Sequence, residues 1–146
     1  YVLNAEGGTG PDHAVTIARS RHIFGPYENN PKNPIITHRH LGKDYPIVYV
    51  GHADLVDDAT GNWYMVMLAS RRCDGFIGLG RETYLAKVVW EDGWPIVNPG
   101  IGMLEEDVNL PYVCNEKKTT KNQFSLYLRG KRIFCHSYQS AIKSRK

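Results

Sequence analysis

Two short segments of this 146-residue chain place reactive side chains where a β-strand ends or begins. Glu6-Gly7-Gly8-Thr9-Gly10 sets one carboxylate beside a turn whose glycines let a ligand approach the backbone. Arg81-Glu82 follows a Gly-rich loop, and an arginine there offers a planar fork to sugar hydroxyls or to a carboxylate. His13 and His52 each open a strand-like run on the same rim, where an imidazole can take a functional role. Each feature also has a plainer reading. Glu6 fits an exposed turn residue, and a lone histidine at a strand start is more often hydrogen-bonded structure. Arg81 fits equally well as the ion-pair partner of Glu6 or Asp54. His38-Arg39-His40 points two imidazoles the same way but offers no third ligand, so it reads as a polar loop. Nor do the glycines cradle phosphate: no Gly-Lys-Ser/Thr comes after them, and the chain continues into a strand rather than a helix.

The elements that must carry these residues are β. Gly51–Val56, Trp63–Ala69, Arg81–Trp90 and Trp94–Val97 are four strand-like runs separated by turn sequences, the size of one propeller blade. A blade puts the start of its first strand and the loop between its second and third strands on one rim. His52, the loop from Arg71 to Gly80, Arg81 and Glu82 are therefore expected together. A weak repeat extends the pattern: Tyr1–Ala5 resembles Tyr64–Leu68, Arg19 is matched to Arg81, and Gly25-Pro26-Tyr27 to Gly93-Trp94-Pro95. Tyr1–Ala5 is then the second strand of an earlier blade, His13–Arg19 its third, and Gly25 to Ile36 its outer strand. Thr37 to Tyr49 reads as a polar connection. The first blade lacks its opening strand, so an N-terminal piece is expected to be missing. Trp63, Tyr64, Tyr84, Trp90 and Trp94 read mostly as core or inter-blade packing.

At 42% hydrophobic and 11% aromatic residues, the chain is globular, and it has no long run of helical period. The fold class is all-β. No apolar run approaches the ~20 residues that span a bilayer, so no membrane partner is expected. Three cysteines (Cys73, Cys114, Cys135) are odd in number and lack metal-type spacing. They leave the compartment unassigned. The net charge of +3 hides a split: residues 1–110 sum to −5 and residues 111–146 to +8. The basic tail, with Lys117, Lys118, Lys121, Arg129, Lys131 and Arg132, carries no nucleic-acid module and reads as solvated charge. Strands are expected at Gln123–Leu128 and around Ile133–Tyr138, in a tail that is otherwise irregular.

Several motifs in order now carry a resemblance. Ala5-Glu6-Gly7-Gly8-Thr9, His13, Thr16-Ile17-Ala18-Arg19-Ser20 and Gly25-Pro26-Tyr27 resemble the middle of glycoside hydrolase family 43. Gly51-His52-Ala53-Asp54-Leu55-Val56, Leu79-Gly80-Arg81-Glu82-Thr83 and Trp90-Glu91-Asp92-Gly93-Trp94-Pro95 continue it in the family's order. The likeness is strongest to β-xylosidase and α-L-arabinofuranosidase members and covers residues 1 to about 106. It implies a five-bladed β-propeller, of which this chain holds about two blades: a partial propeller over residues 1–106 and a basic tail over 107–146.

The resemblance also implies an inverting mechanism, in which one carboxylic acid protonates the leaving oxygen and one carboxylate activates water. The family's catalytic carboxylates lie in earlier blades, the acid in a Glu-Gly-Pro-His type segment that this sequence does not contain. The catalytic residues are therefore unknown here, and Glu6 is not given the acid role. What carries over is support: His52 matches a central histidine that in several members helps hold a metal, usually calcium, at the propeller axis. Arg81 matches an arginine that reaches pocket hydroxyls, and Glu6 and His13 match the loop bordering the pocket.

The expectation is thus a fragment of a hydrolase acting on xylose- or arabinose-containing carbohydrate, inactive alone, and prone to self-association through exposed blade edges. Two rivals differ in class. A non-catalytic carbohydrate-binding propeller module would bind through Arg81, His13 and rim aromatics without turnover. An interaction scaffold would use the basic tail against an acidic partner.

Overall fold

The computed structural model describes residues 1–108 together with Phe124–Leu128 and Lys131–Cys135, and among these residues every regular element is a β-strand. The chain runs β1 Val2–Glu6, β2 Ala14–Arg19, β3 Glu28–Asn29, β4 Ile36–Thr37, β5 Ile47–Asp57, β6 Trp63–Arg71, β7 Glu82–Glu91 and β8 Trp94–Val97. β9 Phe124–Leu128 and β10 Lys131–Cys135 form an antiparallel hairpin. The expected first tail strand is present, and the second starts two residues earlier than expected. The remaining tail residues, including Lys117, Lys118, Lys121 and Arg129, lie outside the described residues.

The body is two antiparallel sheets, as expected of a partial β-propeller. One has the order β5-β6-β7-β8, a four-stranded meander. In the other, β1 pairs with β2, and the far edge of β2 is shared by two short pieces, β3 at Ala18–Arg19 and β4 at Ala14–Val15. The outer strand expected from Gly25 to Ile36 is therefore interrupted. At the break, the Asn33 side chain replaces the missing backbone. Its Oδ1 accepts from the Ile17 N–H at 3.0 Å and its Nδ2 donates to the Ile17 carbonyl at 2.9 Å. Asn98 repeats the device just past β8, its Oδ1 accepting from the Lys87 N–H while its own N–H donates to the Lys87 carbonyl. Each satisfies backbone groups that the sheet would otherwise leave open.

β5 differs most from expectation. It begins at Ile47, not Gly51, because Ile47-Val48-Tyr49-Val50 is an apolar run with three buried members that extend the strand into the core. The polar connection is thus 38–46. Its register against β6 shifts between Val48 and Gly51 and again between Gly51 and Asp54. These irregularities bend the strand where His52 sits, as bulges do beside functional sites. The core gathers Val15 and Ile36 from one sheet with Ile47, Val50, Met65, Met67, Ala86 and Val88 from the other, closed by Leu104. His38 is buried there, not loop-exposed as the sequence suggested. Its Nδ1 faces the Ile47 carbonyl at 2.7 Å and its Nε2 accepts the Leu104 N–H at 2.8 Å. A segment reading as polar spacer is thus pinned to both β5 and the chain beyond β8.

The sheets also meet through aromatics. Tyr1 packs on Trp90 and Trp94, Trp90 on Trp63, and the Arg19 guanidinium lies 4.1 Å over the Trp94 ring. These side chains are inter-sheet packing, as their sequence context predicted.

Candidate functional site

The rim that the sequence pointed to is assembled by the ends of β1 and β6, the starts of β2 and β7, and the bend in β5. β1 ends at Glu6, and a turn returns the chain through His13 into β2. β6 ends at Arg71, and the longer loop 72–81 returns it into β7. Within that loop Cys73 and Phe76 exchange backbone hydrogen bonds around Asp74-Gly75, both with positive φ (51° and 83°), a two-residue turn of the Asp-Gly kind. It leaves Phe76 76% exposed at the tip. At the loop's base, Arg71 donates to both Glu82 carboxylate oxygens at 3.2 and 2.5 Å. That fork raises the Arg71 pKa, chiefly through the hydrogen bonds to Glu82. Glu82 is thereby committed to closing the loop. Tyr84, further along β7, has its phenol pKa raised by burial first and by the Glu82 charge second.

Three of the four predicted residues join directly. His13 is only 2% exposed. Its Nδ1 lies 3.0 Å from the Glu6 carbonyl and its Nε2 3.2 Å from Arg81 Nη2. A guanidinium only donates and a carbonyl only accepts, so the ring is neutral with its proton on Nδ1. The Glu6 carboxylate, itself exposed, accepts the Thr16 hydroxyl at 2.8 Å. Arg81 is half-buried, and its Nε–H meets no acceptor among the described residues. Its partner is a histidine, neither Glu6 nor Asp54. Among the described residues no carboxylate forms an ion pair with the guanidinium, and its unpaired Nε–H is buried.

His52 joins through the backbone. Gly51, the residue before it, lies so close to His13 that a Cβ there would sit within 2.7 Å of three ring atoms. His52 itself is exposed and holds a left-handed φ of 53°, unusual for a residue with a Cβ. Among the described residues, no three His, Cys, Asp or Glu side chains come together to hold a metal. His52 supplies one nitrogen, whereas calcium takes six to eight oxygen ligands, so these residues alone do not make a calcium centre.

Sequence reading gave no individual role to Gly51 or Thr16, and placed Arg71 on the rim only as the start of its loop. It also matched Arg19 with Arg81, but Arg19 ends β2 whereas Arg81 precedes β7. The topological counterpart of Arg81 is His13: His13 stands immediately before β2, which pairs back on β1, and Arg81 immediately before β7, which pairs back on β6. The signal was available in the Gly25/Gly93 offset, which aligns His13 with Arg81, and was obscured by the longer second loop.

The model of the glycosyl hydrolases family 43 matches residues 1–95. The chain belongs to this family. It is 59% identical over 128 residues to a xylosidase/arabinosidase from Butyrivibrio fibrisolvens, covering 86% of this chain and 25% of that protein. It is 43% identical over 113 residues to a non-reducing end α-L-arabinofuranosidase from Bacteroides ovatus, covering 76% of this chain and 21% of that protein. The crystal structure of a xylan β-1,4-xylosidase from Bacillus halodurans superposes with a TM-score of 0.69 at 39% identity, over 80% of this chain and 23% of that one. This family 43 chain thus spans about a quarter of the length of the relatives it matches.

Proposed function

We propose that this chain is part of a glycoside hydrolase that cleaves terminal xylosyl or arabinofuranosyl O-glycosidic bonds in plant cell-wall polysaccharides or oligosaccharides, with inversion. Family membership, with relatives named for both sugars, supports the reaction class. The observation that carries the local assignment is Arg81, a rim cation with no carboxylate partner among the described residues, backed by His13 and Glu6. In this reading the three form the substrate-binding shell, with Arg81 presenting its fork to sugar hydroxyls and the buried His13 standing behind it. His52 faces the propeller axis, here taken to have five blades. A calcium ion held there would draw its oxygen ligands from water and from groups other than the His52 ring. Carbohydrate is the partner, and the edge of β1, unpaired among the described residues, favours association with further copies.

The inverting pair of carboxylates is not assigned to any residue of this chain, so the 146 residues alone hydrolyse nothing. Assay on 4-nitrophenyl β-xyloside and α-L-arabinofuranoside tests this. Turnover by the chain that is abolished by Glu6→Gln would place the acid on Glu6 and overturn the assignment.

A further inference from the structure

His13 is unusually constrained for a rim residue. Its N–H donates to the Gly10 carbonyl at 3.1 Å and its own carbonyl accepts the Thr37 hydroxyl at 2.8 Å. Both ring nitrogens are engaged, by Glu6 and Arg81, and one ring face rests on Gly51. At 2% exposure, no ring atom is left for a sugar. Arg81, in contrast, has no carboxylate partner among the described residues, and its one hydrogen bond there runs from Nη2 to His13 Nε2. A long side chain held by one hydrogen bond at its guanidinium takes its direction from that bond.

We infer that His13 is a positioning residue: held in its Nδ1–H tautomer by the Glu6 carbonyl and backed by Gly51, it fixes the Arg81 fork in the orientation that receives the sugar. The order of cause runs from backbone to ligand. The Glu6 carbonyl selects the tautomer, the tautomer makes Nε2 an acceptor, and the acceptor aims the guanidinium. Gly51 stops the ring from retreating, because the wall behind it is backbone. The residue that precedes β2 in one sheet thus orients its counterpart before β7 in the next. This inference rests on the reading of Arg81 as a sugar-binding residue, but its structural half can be measured without sugar.

Nitrogen-15 NMR of the 146-residue chain tests that half. The His13 ring is expected to show Nδ1 protonated and Nε2 bare, and Arg81 to show slowed guanidinium rotation. His13→Leu should restore fast rotation, and His13→Gln, which can place an acceptor near the Nε2 position, should retain part of the order. An Nε2–H tautomer in the wild type overturns the inference even if neither variant folds, as does an Arg81 that rotates freely. Titration with xylobiose and with arabinose supplies the second arm. A wild type that binds should lose affinity about tenfold in His13→Leu, the worth of one charge-assisted hydrogen bond, and recover part of it in His13→Gln. Equal affinity in all three, with folding intact, also refutes the positioning role. A wild type with an ordered Arg81 that binds neither sugar overturns the assignment of Arg81 to sugar, leaving the His13–Arg81 geometry standing.

Discussion

Replacing Gly51 by alanine adds one methyl group at the tightest point of the rim. The new Cβ would lie within 2.7 Å of three His13 ring atoms, whereas carbon atoms in contact prefer about 3.5–4.0 Å. The ring must therefore retreat by roughly 1 Å, since the other party is backbone. A shift of that size breaks the 3.0 Å bond to the Glu6 carbonyl and the 3.2 Å bond from Arg81. Overpacking of a filled site costs about 1–3 kcal/mol, and the two hydrogen bonds add about 1 kcal/mol each if both are lost. With partial relaxation the expected loss is about 2–4 kcal/mol. At roughly 4–8 °C per kcal/mol for a domain near 100 residues, the melting midpoint should fall by about 8–32 °C. Gly78→Ala is the control, because a Cβ there meets nothing within 4 Å and the backbone φ is ordinary. Thermal melts followed by circular dichroism compare the two. If Gly51→Ala melts with Gly78→Ala, the His13 ring is not packed against Gly51, and the clamp on Arg81 fails with it.

Burial pushes the His38 imidazole below its ordinary value of 6.5, against the smaller opposing effect of the Ile47 carbonyl. The unfolded chain then binds the proton more readily than the native one. The stability involved is fully present above pH 6.5 and lost as pH falls below it, by at most about 1.4 kcal/mol per unit. Urea midpoints at pH 7.5 and 5.5 should differ in the wild type and converge in His38→Gln; an unchanged difference would transfer the effect to another group. Asp58 accepts from the Thr60 and Asn62 N–H groups, the Thr60 hydroxyl and the Asn62 amide in the turn between β5 and β6. Asp58→Ala should cost about 1–3 kcal/mol through the donors left unpaired, read as a lower denaturant midpoint at constant slope. β1 has no partner on its outer edge among the described residues, so the chain should elute from size exclusion above its monomer position, and Asn4→Lys should shift it back. A wild type already monomeric would remove the edge as the cause.

The meander β5–β8 was legible because its apolar alternation and its turn sequences agree, down to Trp94–Val97. The broken outer strand was not, because Asn33 supplies through its side chain what periodicity seeks in the backbone. Ile47 to Tyr49 was lost to the polar connection because the short apolar run after Pro46 is a weak signal beside Gly42 and Asp44. Glu6, His13 and Arg81 were each visible as residue types at strand ends. Their connection was not, since it depends on how two sheets face each other, which single-strand patterns do not encode. His38 shows the same limit: its burial depends on Ile47 and Leu104, residues 9 and 66 positions away.

The hydrogen bond between His13 and Arg81 spans the boundary between two sheets, and this ties occupancy to cohesion. A ligand that holds Arg81 in place stabilises the same arrangement that keeps the sheets docked, and by linkage the docked sheets bind that ligand more tightly. Slow amide exchange along β2 and β7 should therefore become slower still when sugar is present. The seam would act as a sensor of its own cargo.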